Sequence, residues 1–157
     1  MSCIDGEDEE YDPYFMYNAA SESISRWKDA IQNDLEARVD WSVTSNYSEA
    51  NHHTNAILNG ETGRGVLEVS ASSGSSVELS AAGSSDPDGD SPSYSRWFYS
   101  EPSSYSGSVS IQNSNSESAT VTVPSDAGGE IIHIVPEVVD GGSPNLTADR
   151  RVIINVN

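Results

Sequence analysis

Residues 84–90 read Ser-Ser-Asp-Pro-Asp-Gly-Asp, which sets carboxylates at positions 86, 88 and 90 of one short loop. Acids at alternate positions can turn several oxygens toward a single hard cation. Calcium takes about six to eight oxygens at roughly 2.3–2.6 Å, so a loop of this size leaves the shell incomplete. The same letters also spell a turn: Pro87 sets φ at the first corner, Gly89 supplies a positive φ, and the aspartates bond back to the local backbone. Counting excludes an EF-hand. With Asp86 as the first loop position, Ser91 falls where the invariant glycine belongs and Trp97 where the bidentate glutamate belongs. A cation at Asp86, Asp88 and Asp90 would therefore need further oxygens from Asp140 in VVDGGSPN and from Glu49 and Asn51 in EANHHTN.

Trp97, Tyr99 and Tyr105 offer a second chemistry. Aromatic faces meet the C–H surface of a sugar ring, so these residues are candidates for a platform that binds glucose units. The competing reading makes Trp97 the core tryptophan of a β-sandwich. His52 and His53 are either a transition-metal pair or part of a solvated linker, with no third imidazole or thiolate nearby in sequence. His133 lies in an alternating run, which predicts that it faces outward. No Gly-x-Ser-x-Gly elbow is present, and GETGRG lacks the lysine of a phosphate-binding loop. A glycosidase needs two carboxyls held at a set separation across a bound sugar. Here the acids gather at a loop end, and the expectation is a chain with no catalysis of its own.

Those residues depend on two unlike stretches of chain. In residues 21–53, Ile24, Trp27, Ile31, Leu35 and Val39 recur every three or four positions, on one stripe of an amphipathic helix that Ser21 or Ser23 can cap. After about residue 54 the period becomes two. AILNG, VLEVSA, SVELSA, YSRWFYS, SVSIQ, ATVTVP, EIIHIVPEVV and RRVIINVN are short β-rich runs separated by Ser, Gly, Asn and Asp clusters. The predicted fold is all-β: an immunoglobulin-like antiparallel sandwich of about seven or eight strands over 54–157. A helix and linker over 21–53 and an acidic flexible tail over 1–20 precede it. In such a sandwich the loops after the second and sixth strands emerge at one end, which would bring Asp86, Asp88 and Asp90 toward Asp140.

The 157 residues carry 25 acidic against 7 basic side chains, a formal charge of −18. That surface repels phosphate backbones and anionic lipid, which argues against nucleic acid and membrane partners. No apolar run approaches the ~20 residues of a membrane span. The acidic start MSCIDGEDEE lacks the basic-then-apolar pattern of a secretion signal, so none is expected from it; Cys3 has no partner cysteine, and the sequons at Asn46 and Asn145 weigh little in a chain so rich in Asn and Ser. Localisation stays open.

GSSDPDGD followed by YSRW and a later EVVDGG resembles the polycystic-kidney-disease-type immunoglobulin-like modules. The resemblance implies calcium ligation by Asn51, Asp86, Asp88 and Asp140. An affinity of ~10⁻⁴–10⁻³ M is typical of extracellular modules. A longer string is similar to the C-terminal part of a bacterial and fungal family of cellulose-binding proteins with a nucleoside-hydrolase-like N-terminal domain. It comprises AIQNDLEARVDW, YSEANH, ILNGETG, GSSDPDGD and IIHIVPEVVDGGSPNLTADRRVIINV. That resemblance implies an accessory module that binds a polysaccharide such as cellulose, in a family that is mostly secreted. Its helix stripe would pack on an upstream hydrolase-like domain or a partner chain. Two other readings stay open. One makes the chain the end of a hydrolase of N-glycosidic bonds whose active domain lies upstream, the other a structural spacer or adhesion module. Two residues depart from the pattern: Pro136 interrupts the sixth strand, and Arg96 stands where related modules place a buried aromatic.

Overall fold

Alternation governs the second half of the chain. In Ser76–Ser80, Val77 and Leu79 are buried while Ser76 and Glu78 are exposed. In Val152–Val156, positions 152, 154 and 156 are buried. A period of two makes one face of each strand apolar, and a second sheet must close over that face. The computed structural model describes residues 25–157. Helix α1 (Lys28–Val43) and a 3-10 turn (Tyr47–Glu49) precede eight strands: β1 (Leu67–Ala71), β2 (Ser76–Ser80), β3 (Ser93–Phe98), β4 (Ser110–Gln112), β5 (Ser118–Thr122), β6 (Ile131–Val139), β7 (Thr147–Asp149) and β8 (Val152–Val156).

The strands form two sheets. A five-stranded sheet runs β1-β8-β6-β3 with β7 also paired to β6, and a three-stranded sheet runs β2-β5-β4. Leu79, Val121 and Val123 from the smaller sheet meet Ile132, Ile134, Val152 and Ile154 from the larger one, with Leu58 in the same cluster. This is the expected immunoglobulin-like sandwich, with three differences in detail. β1 pairs with β8 in parallel, so the sheets are not wholly antiparallel. AILNG forms no strand. Leu58 bridges to Glu61 because Asn59 and Gly60 take positive φ and reverse the chain, and Asn59 N donates to Ser80 O at 2.7 Å. β7 occupies a segment with no apolar run to mark it.

β6 is central, which explains two residues. Its outer neighbours change midway: 131–134 pair with β8 and 137–139 with β7. Pro136 sits at that exchange, where its carbonyl accepts from Arg150 N at 3.0 Å and its missing N–H falls at the break between two partners. His133 does not face solvent as alternation predicts; it is buried at 7% exposure. A central strand has neighbours on both sides, and Tyr99 and Ile153 flank His133 on its own face.

The apolar stripe of the helix is left largely uncovered. Ile31, Leu35 and Val39 remain 56%, 62% and 53% exposed, so the apolar stripe does not fold back onto the sandwich. α1 docks through the opposite stripe, centred on the buried Ala37. Polar contacts fix it: Asn33 Nδ2 donates to Asn145 O at 2.9 Å, and Trp41 Nε1 donates to Asn51 O at 2.8 Å. Ile24, the caps at Ser21 or Ser23 and the acidic tail lie outside the described residues. No helix among the described residues is long and apolar enough to cross a membrane.

Candidate binding site

Asp140 ends β6 and is 3% exposed, so its charge must be met by protein donors. Oδ1 accepts from Gly142 N at 3.1 Å and Leu146 N at 2.9 Å, which shapes the loop after β6. Oδ2 accepts from Asn51 Nδ2 at 3.0 Å, and the same amide donates to Pro144 O at 2.8 Å. In the loop between β2 and β3, Asp86 Oδ1 accepts from Asp88 N at 2.9 Å and from Asp90 N at 3.3 Å, while Gly89 takes φ 88°. The local grammar of a turn is thus realised. Asp88 turns away from its neighbours and accepts from His52 N at 2.7 Å, with the His52 ring nitrogen 3.1 Å from its other oxygen.

The distant segments do meet at one end of the sandwich. Asn51, Asp88, Asp90, Glu49 and Tyr47 border a cleft of about 410 Å³. Yet the carboxylates of Asp88, Glu49 and Asp140 accept from protein donors, and among the described residues no group of three or more His, Cys, Asp or Glu side chains is placed to hold a metal. One atom fits a cation: Asp86 Oδ2 is buried with no hydrogen-bond partner. Asn51 fits only with its amide turned, because it now presents nitrogen to Asp140. Glu49 is pinned by Thr44 Oγ1 at 2.5 Å and Asn46 Nδ2 at 3.0 Å, hydrogen bonds that hold its carboxyl below the usual range.

The aromatic candidates separate. Arg96 is the inward residue of β3, buried at 4% exposure, and Trp97 therefore faces outward rather than into the core. Trp97 Nε1 donates to Glu137 Oε1 at 3.1 Å, and its ring lies 5.7 Å from Trp27 and 5.3 Å from Tyr99. The Arg26 guanidinium lies 4.8 Å from the Trp97 centroid and pairs with Glu101 at 2.6 Å, lowering the Glu101 carboxyl. Trp97 and Tyr99 thus anchor the start of the helical segment. Tyr105 packs against the sandwich core instead and donates its hydroxyl to Asp126 Oδ1 at 2.9 Å.

The histidines are structural partners. His52 stacks on Tyr47 with centroids 3.7 Å apart, and Trp41 lies on the same stack at 5.6 Å. His53 Nε2 lies 2.9 Å from Asp34 Oδ1, while Arg38 Nε donates to Asp34 Oδ2 at 2.7 Å. The Arg38 hydrogen bond first, then that of His53, holds the Asp34 carboxyl below its ordinary value. Sequence reasoning missed a second cleft of about 430 Å³, which includes Asn55, Arg64, Asp149 and Arg150. Its walls come from segments nearly one hundred positions apart, and no local motif links them.

Fold and site together define an immunoglobulin-like β-sandwich module with a docked helix and polar clefts along its edge. The chain belongs to the family described as the C-terminal domain of cellulose-binding protein Sde0182, which matches residues 76–156. A solved nucleoside hydrolase-related hypothetical protein from Saccharophagus degradans, associated with carbohydrate metabolism, is 57% identical with a TM-score of 0.84. The match covers 85% of this chain and 33% of that one, so the chain spans about a third of that protein's length. The PKD domain from KIAA 1837 protein is 21% identical with a TM-score of 0.44, over 69% of this chain and 92% of that one. Human CDH23 EC21–23 is 14% identical with a TM-score of 0.45, over 67% and 34%. A comparison with curated proteins finds no match.

Proposed function

We propose that this chain is a non-catalytic polysaccharide-binding module, with cellulose as its polymer, within a carbohydrate-associated, nucleoside-hydrolase-related system. The observation that carries the reading is the family match over 76–156, to a domain described by a cellulose-binding protein. The engagement of Asp34, Asp86, Asp88, Glu101 and Asp140 in structural hydrogen bonds supports a binding role over a catalytic one. Sedimentation with microcrystalline cellulose, with and without chelator, tests it. Retention is expected; no retention in either condition ends the cellulose reading.

A second reading treats the chain as one part of a hydrolase of N-glycosidic bonds, with the active part supplied upstream. The likeness to a nucleoside hydrolase-related protein, of which the match covers 33%, favours it, as does the exposed stripe of Ile31, Leu35 and Val39. That stripe is the surface on which the remainder would dock. In either setting calcium binds at the Asp86 end: the orphan Asp86 Oδ2 supports this, and the Asn51, Asp88 and Asp90 side chains border the cleft at the same end of the sandwich.

A further inference from the structure

We propose that the polysaccharide chain lies in the cleft between residues 53–57, the 62–64 loop and β7, as a neutral polyhydroxylated ligand; this rests on the cellulose-binding reading above. The cleft holds about 430 Å³, within the ~300–1,000 Å³ range of small-molecule sites. Among the described residues, the side chains of Asn55, Thr62, Arg64, Thr147 and Asp149 that line it make no hydrogen bond or ion pair with protein. Thr54, on the same wall, is 6% exposed and its hydroxyl also lacks a partner. A buried hydroxyl without a partner is costly, and a ligand hydroxyl would relieve it.

The site is built rather than incidental. Arg150 is 7% exposed and donates to Glu61 O at 2.8 Å and to Gly65 O at 3.1 Å, which clamps the loop carrying Thr62 and Arg64. The opposite wall is held by Asn55 N donating to Ser85 O at 2.7 Å and Ser85 N donating to Asn55 O at 3.2 Å. His53 closes one end with its ring fixed by Asp34. Ala56, Ile57 and Ala148 supply apolar surface for the C–H face of a sugar.

The donor set selects the ligand class. Arg64 only donates, Asp149 only accepts, and Asn55 and the threonines do both, which is the mixture that vicinal hydroxyls satisfy. The charges of Arg64 and Asp149 balance locally, and the chain's −18 repels anions at longer range. The Trp97 and Tyr99 faces, by contrast, are already occupied by Arg26 and Trp27.

The test is a titration of the full chain with cellohexaose, xylohexaose and mannohexaose, followed by amide chemical shifts, beside cellulose sedimentation. Variants Asn55→Ala, Arg64→Ala and Asp149→Ala lie at exposed positions and leave the core intact; Tyr47→Ala reports on the other cleft. The expected result is shifts confined to 53–57, 62–64 and 147–150, with affinity reduced at least about tenfold by Arg64→Ala or Asp149→Ala. Shifts there with another glycan but no retention on cellulose would keep the cleft and end the cellulose reading. Retention that survives all three variants, or that only Tyr47→Ala removes, would overturn the cleft and leave the reading standing. No shifts and no retention would overturn both.

Discussion

Asn51 Nδ2 lies 3.0 Å from Asp140 Oδ2, and both residues are buried although 89 positions separate them. The contact closes the loop end of the sandwich, because Asp140 also accepts from Gly142 N and Leu146 N. Replacing Asp140 by alanine strands those donors together with the Asn51 amide. The loss expected is about 3 kcal/mol in urea unfolding. Gly142 adds a check, since a Cβ there would collide with the Asn51 side chain. Gly142→Ala should destabilise the wild type and cost much less once Asn51 is alanine.

Arg96 places a guanidinium where an aromatic was expected. It donates to Glu117 O at 2.7 Å and to Ser116 O, across the sandwich at the start of β5. Burial lowers its pKa, yet the paired carbonyls keep it charged. Arg96→Leu should lose about 2–3 kcal/mol by leaving these carbonyls unpaired. Arg96→Lys should fail to restore it, because one ammonium cannot reproduce a planar fork. Unfolding midpoints of the two variants decide the matter.

The contrast between Arg96 and its neighbours marks what could be read from sequence. The period of two in SVELS, ATVTV and VIINV follows from burial on one face, so the strands and their inner residues are legible. β3 carries the same alternation, but Tyr-Ser-Arg-Trp-Phe presents a large residue on both faces, and the register is ambiguous until Arg96 finds its carbonyls. The meeting of Asn51 with Asp140 was accessible because strand order dictates which loops share an end. The donors that already satisfy each carboxylate were not, since they are backbone amides whose direction depends on tertiary placement. The same limit hid the Arg64 and Asp149 cleft.

The helix stripe predicts a separation between stability and assembly. Ile31 and Leu35 are more than half exposed, so Ile31→Glu with Leu35→Glu should change unfolding free energy by no more than about 0.5 kcal/mol. If the stripe docks on the remainder of a longer protein, the same pair should abolish binding to that remainder supplied as a separate chain. Binding that survives the double variant would remove the stripe from the interface.

Calcium should act through Asp86. An ion present at about ten times its dissociation constant stabilises by roughly 1.4 kcal/mol. For a domain of this size that is about 3–6 °C in Tm. Asp86→Ala should cancel the gain, because Asp86 Oδ2 is the acceptor that protein donors leave unfilled. An unchanged midpoint at millimolar calcium reduces residues 84–90 to a turn.

His133 gives the sandwich a pH response with a definite sign. Burial first, and the charge of Arg151 second, lower its pKa from the ordinary value of about 6.5. The unfolded chain therefore binds a proton at a pH where the folded chain does not, and stability falls as pH drops below about 6.5 toward the folded value. Above that point the contribution is fully present. Nδ1 of the same ring is buried without a partner, so the neutral form carries a cost of its own. His133→Leu keeps similar bulk and removes both the titration and the orphaned nitrogen. The variant should equal or exceed the wild type at pH 7 and gain on it progressively between pH 6.5 and 5, measured by urea unfolding at each pH. Parallel curves for the two proteins across that interval would assign the acid sensitivity to other groups.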